Sequence, residues 1–277
     1  MKKIITTLLV FFCVNIFAQN LTYSEKNVSK RSPEEVCVIK NGKEECSYYK
    51  DCVIDGEKGT CGYDASFSID WFDEVNDIAK NINRSIFDAF SDTISYGYID
   101  ELGFDNYKLA AEQFIAEYDA TTEENKNNED NISYADFYGA TTVTLQNNKL
   151  LNVTVHSNYM VGGPHGVHST DSLFFDLKTG EQLSFYELLI VEKDKFTAIA
   201  EKLFKQQYPE DSEEYTTLFF DYEGNHFELP ETIYIGKDNL TLAYNTGQMG
   251  AFAGGMLDVE IPISEIKDYL NPDYFDF

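Results

Sequence analysis

Apolar positions along this chain fall first into one block, then into steps of three and four, and then into alternation. Lys2 and Lys3 precede a largely apolar run, Ile4 to Phe17, and Ala18 leads into a polar stretch from Gln19. A basic start, a short apolar core and a small residue before a polar run mark a secretory signal peptide, so residues 1–18 are set apart from the fold. That core is too short for a good membrane span, and no later segment approaches one, so no transmembrane segment is predicted. Over 70–90, Trp71, Val75, Ile78, Ile82, Ile86 and Phe90 recur at helical steps and predict one helix, with Asp70 as its cap. A second helix is predicted over 106–119 from Leu109, Phe114, Ile115 and Tyr118. Residues 121–131 carry no apolar side chain and read as a solvated linker.

The period then changes to two. Residues 134–145 are rich in β-branched and aromatic side chains. Leu151, Val153 and Val155 alternate with Asn152, Thr154 and His156, which predicts a strand with one wet face. Another strand is predicted over 172–177, followed by a turn at Lys178-Thr179-Gly180-Glu181. Ser184, with Glu187 three residues later, has the pattern of a capping box before a short helix. A longer helix over 194–207 takes Asp194 as candidate cap. Short strands are predicted over 216–220, 226–229, 232–236 and 239–245, then a glycine-rich loop over 247–255. Val259, Ile261 and Ile263 lead into a last helix, 264–269, with Ser264 as cap.

Cysteine and charge narrow the class. Cys37, Cys46, Cys52 and Cys61 lie close together at spacings of 9, 6 and 9, without the C-x-x-C pairs of common zinc modules. In an exported chain they read as a framework of two disulfides, with all three pairings open. Asn41-Gly42 between short apolar runs suggests a hairpin in this segment. The formal net charge is -27, which repels phosphate backbones, so nucleic-acid binding is not expected. A cationic protein, peptide or ion would be attracted.

The candidate chemistry lies in two glycine-rich segments. Gly162, Gly163, Pro164, His165, Gly166, Val167 and His168 hold half of the four histidines. His165 and His168 could meet one ion only with a third ligand, and His156, Asp171, Asp176 and His226 are the available donors. There is no H-E-x-x-H motif and no G-x-S-x-G elbow. The reading is therefore a shaped turn with no metal and no cofactor, in which the glycines relieve the backbone. The second segment, with Phe252 and Gly254, lacks the elements of a phosphate loop. Gly162, Gly163, His165, His168, Phe252 and Gly254 are the candidate ligand or partner contacts; catalytic residues stay unassigned.

Three motifs carry a resemblance. They are Val161 to Gly166, then Phe174 to Glu181 with Phe185 to Leu189, and then Ala251 to Gly255 with Ile261 to Leu270. Together they resemble the RsiV-like extracellular domain, known from lysozyme-responsive anti-sigma factors. The portion before them is similar to the amino-terminal domain that accompanies some peptidoglycan deacetylases, here termed PdaC-like. The resemblance implies an α+β fold, with antiparallel sheets packed against a few helices in two small subdomains. Behind the signal peptide (1–18) and the Cys-rich leading segment (19–65), it implies a PdaC-like domain (66–158) and an RsiV-like domain (159–277). The chain departs from the family in carrying Pro164 before His165 and Phe252 in the Ala-Gly loop. The implied function is a non-catalytic binding or sensing module of the cell envelope, periplasmic or extracellular. Its implied partner is lysozyme, another basic protein or a cell-wall ligand. The alternative is an envelope hydrolase using the histidine loop, with or without a metal.

Overall fold

The computed structural model describes residues 21–32, 36–40, 43–47, 50–54, 57–90, 94, 102–124, 134–161, 166–209, 227–246, 248 and 256–275. In chain order the strands are β1 (Tyr23–Ser32), β2 (Val36–Lys40), β3 (Lys43–Ser47), β4 (Lys50–Ile54) and β5 (Glu57–Phe72). Helices α1 (Asp77–Asp88) and α2 (Asp105–Glu124) follow, then β6 (Tyr134–Gln146), β7 (Leu150–Val161), β8 (Val167–Asp176) and β9 (Gln182–Leu183). After a 3-10 turn at Phe185–Leu188 come α3 (Lys193–Gln207), β10 (Thr232–Ile235), β11 (Asn239–Tyr244), β12 (Leu257–Pro262) and the short α4 (Ile263–Ile266). The fold class is α+β. A seven-stranded sheet runs β1-β5-β6-β7-β8-β9, with β4 also on β5; a second sheet runs β10-β11-β12, and β2 pairs β3.

β5 pairs β6 in parallel, from Gly62 opposite Tyr134 to Ser68 opposite Ala140; the other ladders are antiparallel. A parallel neighbour needs a crossover, and α1 and α2 lie on it. They cover one face of the sheet. Tyr63, Ala65, Phe67, Ile69 and Trp71 alternate inward from β5 and meet Ile82 and Ile86 of α1 and Tyr107, Ala111 and Phe114 of α2 in one buried cluster. Each fully buried large side chain stabilises the fold by roughly 1.5–3 kcal/mol. The Phe67 ring lies 5.1 Å from Tyr107, 5.3 Å from Phe137 and 5.4 Å from Phe90. Gly139 sits under this group. A Cβ there would stand 2.8 Å from the Phe90 ring and 2.9 Å from Phe67, so the packing requires glycine.

A second cluster forms on the opposite face, at the other end of the sheet. Leu150 and Phe174 point into it, with Phe196, Ala200 and Phe204 of α3 and the inward residues of β10, β11 and β12. The carboxy-terminal tail folds back on the β6–β7 turn: Asn147 Nδ2 donates to the carbonyl of Tyr274 at 3.0 Å and Lys149 Nζ to that of Pro272 at 3.2 Å.

The first predicted helix starts late. β5 continues to Phe72, so Asp70 and Trp71 are strand residues, and Asn76 is the cap, accepting the Ala79 N–H at 2.9 Å. Val75 is 72% exposed, so it does not belong to the buried stripe. Buried Asn83 ties the pieces together, accepting the Phe72 N–H at 3.0 Å and donating to its carbonyl at 2.9 Å. Leu109, expected on the buried face of α2, is likewise exposed. The caps of α3 and α4 fall on Glu192 and Pro262 rather than Asp194 and Ser264. Of the short strands, β10 and β11 form, residues 227–229 join no strand, and 216–220 lie outside the described residues.

The expected disulfides are corrected. Among the described residues no two cysteines form a disulfide or near-disulfide pairing. Local order in this segment comes from strand ladders instead. Cys52 stands opposite Gly59 and Cys61 opposite Lys50. Cys37 stands opposite Cys46 in the β2–β3 ladder. The Asn41-Gly42 turn and the signal peptide lie outside the described residues. Among the described residues no helix is long and apolar enough to cross a membrane.

Candidate functional site

The most polar interior lies where β7 and β8 meet the small sheet. Periodicity predicts that Asn152, Thr154 and His156 face water. Instead Asn152 and Thr154 are buried and His156 is half-buried, because β10 packs over this face. A buried amide needs its full set of partners. Asn152 Nδ2 donates to Ser172 Oγ at 2.9 Å and to the Leu173 carbonyl at 3.1 Å. Its Oδ1 accepts the Ile235 N–H at 2.7 Å and the Thr144 hydroxyl at 3.0 Å. One side chain thus joins three strands of the large sheet to one of the small sheet.

Thr170 is the second node of this seam. Its N–H donates to Asn245 Oδ1 at 2.7 Å. Its carbonyl accepts the Thr232 hydroxyl at 2.6 Å and Asn245 Nδ2 at 3.0 Å. Its hydroxyl lies 2.9 Å from His156 Nδ1. Asn245 in turn donates its N–H to Gln248 Oε1 at 2.8 Å and accepts the Gln248 N–H at 2.9 Å, closing the start of the 247–255 segment. Thr170 of β8 and Asn245, which follows β11, thus bind the two sheets to one another.

Burial pushes the His156 imidazole below its ordinary range, and the Asp258 carboxylate acts in the opposite direction. The ring is therefore neutral around pH 7. Asp258 and Glu260 are exposed on β12, and the Tyr234 hydroxyl reaches Asp258 Oδ2 at 3.3 Å. Burial, ahead of these carboxylates, raises the Tyr234 phenol, so it stays protonated.

Of the candidate contacts, His168 is described: it is exposed at the start of β8, opposite Asn158. Gly162, Gly163, His165, Phe252 and Gly254 lie outside the described residues, as does His226. Of the other donors considered for a metal, His156 and Asp176 are engaged within the fold. His156 is on Thr170, and Asp176 Oδ1 accepts the Lys178 N–H at 2.7 Å in the following turn. Among the described residues no group of three or more His, Cys, Asp or Glu could hold a metal ion.

Sequence reasoning passed over Asn152, Thr170, Thr232 and Asn245, which build the seam. Only Asn152 left a signal, as an amide inside an apolar alternation.

Residues 188–264, which span α3 and the whole small sheet, match the model of a family described as a protein of unknown function, DUF3298. Two solved structures share the architecture over nearly the full length. One is a DUF3298 family member from Bacteroides fragilis, with a TM-score of 0.62 and 17% identity, covering 91% of this chain and 95% of that one. The other is a DUF3298 family protein from Pseudomonas aeruginosa, with a TM-score of 0.60 and 14% identity, covering 94% and 98%. At these identities the likeness establishes a shared fold. No curated protein matches.

The seam can hold a surface in shape. It presents hydroxyls, amides, a neutral imidazole and, at its rim, carboxylates.

Proposed function

We propose that this chain is an exported, non-catalytic binding or sensing module of the cell envelope, of the RsiV-like kind, whose partner is a basic protein such as lysozyme. The observation that carries the reading is the acidic rim of the seam. Asp258 and Glu260 of β12 stand exposed beside Tyr234 of β10, on a chain whose net charge is -27. Such a field steers a basic partner toward the surface, while the rigid seam fixes the shape it meets. The hydrogen bonds of Thr170 and Asn245 support this role, since they tie β8 to the end of β11 beside that rim.

The test is calorimetric titration of the mature protein with lysozyme, with cytochrome c as an equally basic control. Saturable lysozyme binding that survives about 150 mM salt is expected, since screening at that strength removes only loose attraction. Asp258→Asn combined with Glu260→Gln should weaken it about tenfold, the equivalent of ~1.4 kcal/mol. Equal binding of cytochrome c, or complete loss in salt, overturns the proposal. Release of reducing ends from purified cell-wall glycan by the protein would favour the hydrolase reading instead.

A further inference from the structure

A separate site lies on the large sheet, away from the seam. Over β1, β5 and β6, one sheet face is packed by the helices and the other is open. Register places Glu25, Asn27 and Ser29 of β1, Ser66 and Ser68 of β5 and Tyr138 of β6 on the open face: Asn27 is opposite Ser68, Ser29 opposite Ser66, and Ser66 beside Tyr138. These residues line a depression of about 420 Å³. Its shape follows from residue size. Short serines on the central strand form the floor, and the 46%-exposed ring of Tyr138 rises at one side. Glu25 and Asn27 stand along the other.

The lining selects a chemistry. The walls mix the two kinds of surface: hydroxyl, amide and carboxylate groups stand beside the Tyr138 ring, and Val28 and Phe67 also line the depression. An anion would meet Glu25. Glu25 Oε1 accepts Ser68 Oγ at 2.9 Å and Asn27 Nδ2 at 3.2 Å, which fixes the carboxylate in place. Those two bonds, Asn27 first, also lower its protonation range, so it is an anion at neutral pH. Asp70, opposite Glu25, is already occupied by the Val143 N–H at 2.9 Å. A pyranose fits this combination. Its C–H face can lie on an aromatic ring while its hydroxyl edge meets serine and amide groups. A 1,4-β-linked chain is a flat ribbon, suited to an open sheet face. The fixed anion adds a preference for a sugar that carries an ammonium group.

We propose that this depression is a glycan subsite for a 1,4-β-linked amino sugar with its amine free. The site goes beyond the basic-protein reading and uses none of its residues.

The test is titration of the mature protein with four ligands: the glucosamine tetramer, its fully N-acetylated form, cellotetraose and spermidine. The glucosamine tetramer should bind up to about fivefold more tightly than the two neutral sugars, the difference one exposed charge contact can supply. Tyr138→Ala should weaken all three sugars, and Glu25→Gln should erase the preference for the amine while leaving cellotetraose binding in place. Glu265→Gln, an exposed acid on α4, should change nothing. Absence of glycan binding overturns the proposal. So does spermidine binding as tightly as the glucosamine tetramer, or indifference to Tyr138→Ala. Because Tyr138→Ala leaves the seam untouched, lysozyme binding by that variant separates failure of this site from failure of the basic-protein reading.

Discussion

Asn152 Oδ1 accepts the backbone N–H of Ile235 at 2.7 Å, across a junction between two sheets that share no ladder among the described residues. Replacing Asn152 with Ala would leave the Ile235 N–H, the Leu173 carbonyl and two hydroxyls short of a partner. Each buried group so orphaned costs about 1–3 kcal/mol. Asn152→Ala should therefore lower unfolding stability by about 3 kcal/mol in urea denaturation, allowing for some rescue by water. A loss below about 1 kcal/mol would mean that the amide does not tie the sheets together.

Gly139 offers a steric prediction. With no room for a Cβ between Phe90 and Phe67, Gly139→Ala should cost about 1–3 kcal/mol through overpacking. Adding Phe90→Leu to Gly139→Ala should recover part of that loss. If the two losses simply add, the clash with Phe90 is not the cause.

The half-buried His156 gives the stability curve a sign. Its folded value lies below the ordinary 6.5, so between the two values the unfolded chain holds a proton that the folded chain does not. The resulting stabilisation is complete above the unfolded value and is lost as pH falls through the folded one. His156→Gln should therefore flatten the decline of stability below about pH 6.5 relative to the parent protein. Parallel curves for the two proteins below that pH would show that His156 is not the responsible group.

Trp71 is the sole tryptophan, is 5% exposed, and lies in the helix-covered cluster with Lys26 Nζ 5.2 Å above its ring. Its emission should be blue-shifted relative to free tryptophan and move to the red on unfolding. In the parent protein that transition should coincide with loss of far-UV circular dichroism, as in a single cooperative unit. In Asn152→Ala the two transitions should separate, because the second cluster would then be free to melt without the first. Coincident transitions in the variant would place the coupling elsewhere.

Much of the fold was legible wherever local chemistry decides structure. Ser184 and Glu187 form their box, the Ser184 N–H reaching Glu187 Oε2 at 2.8 Å. Gly180 adopts a φ of 77° in the predicted turn, a left-handed value that glycine takes without strain. The 3.6 and 2.0 periods located α3, β6 and β7 closely. Legibility failed where tertiary partners override the pattern. Trp71 fits the spacing of a helix stripe by coincidence, but the ladder from β1 keeps it extended. Asn152 and Thr154 looked solvated because nothing in their own strand announces that β10 will cover them. The seam is invisible for the same reason: Thr170 and Asn245 are 75 positions apart, and both are residue types common on surfaces. The glycine-rich segments attract the eye in the sequence, yet the seam is built from plain threonine and asparagine.

The parallel pairing of β5 with β6 also sets an order of assembly. During synthesis β5 can take β4 and β1 as neighbours at once, since both precede it. Its remaining edge, from Gly62 to Ser68, must wait until Tyr134 and its successors have been made. Within that interval α1 and then α2 are made and can cover one face, while a row of unpaired N–H and C=O groups stays open to strangers. The vulnerable moment for this chain is therefore not the loss of a finished core but the delay before β6 arrives. Aggregation during production should track changes in the crossover more closely than changes in the second cluster.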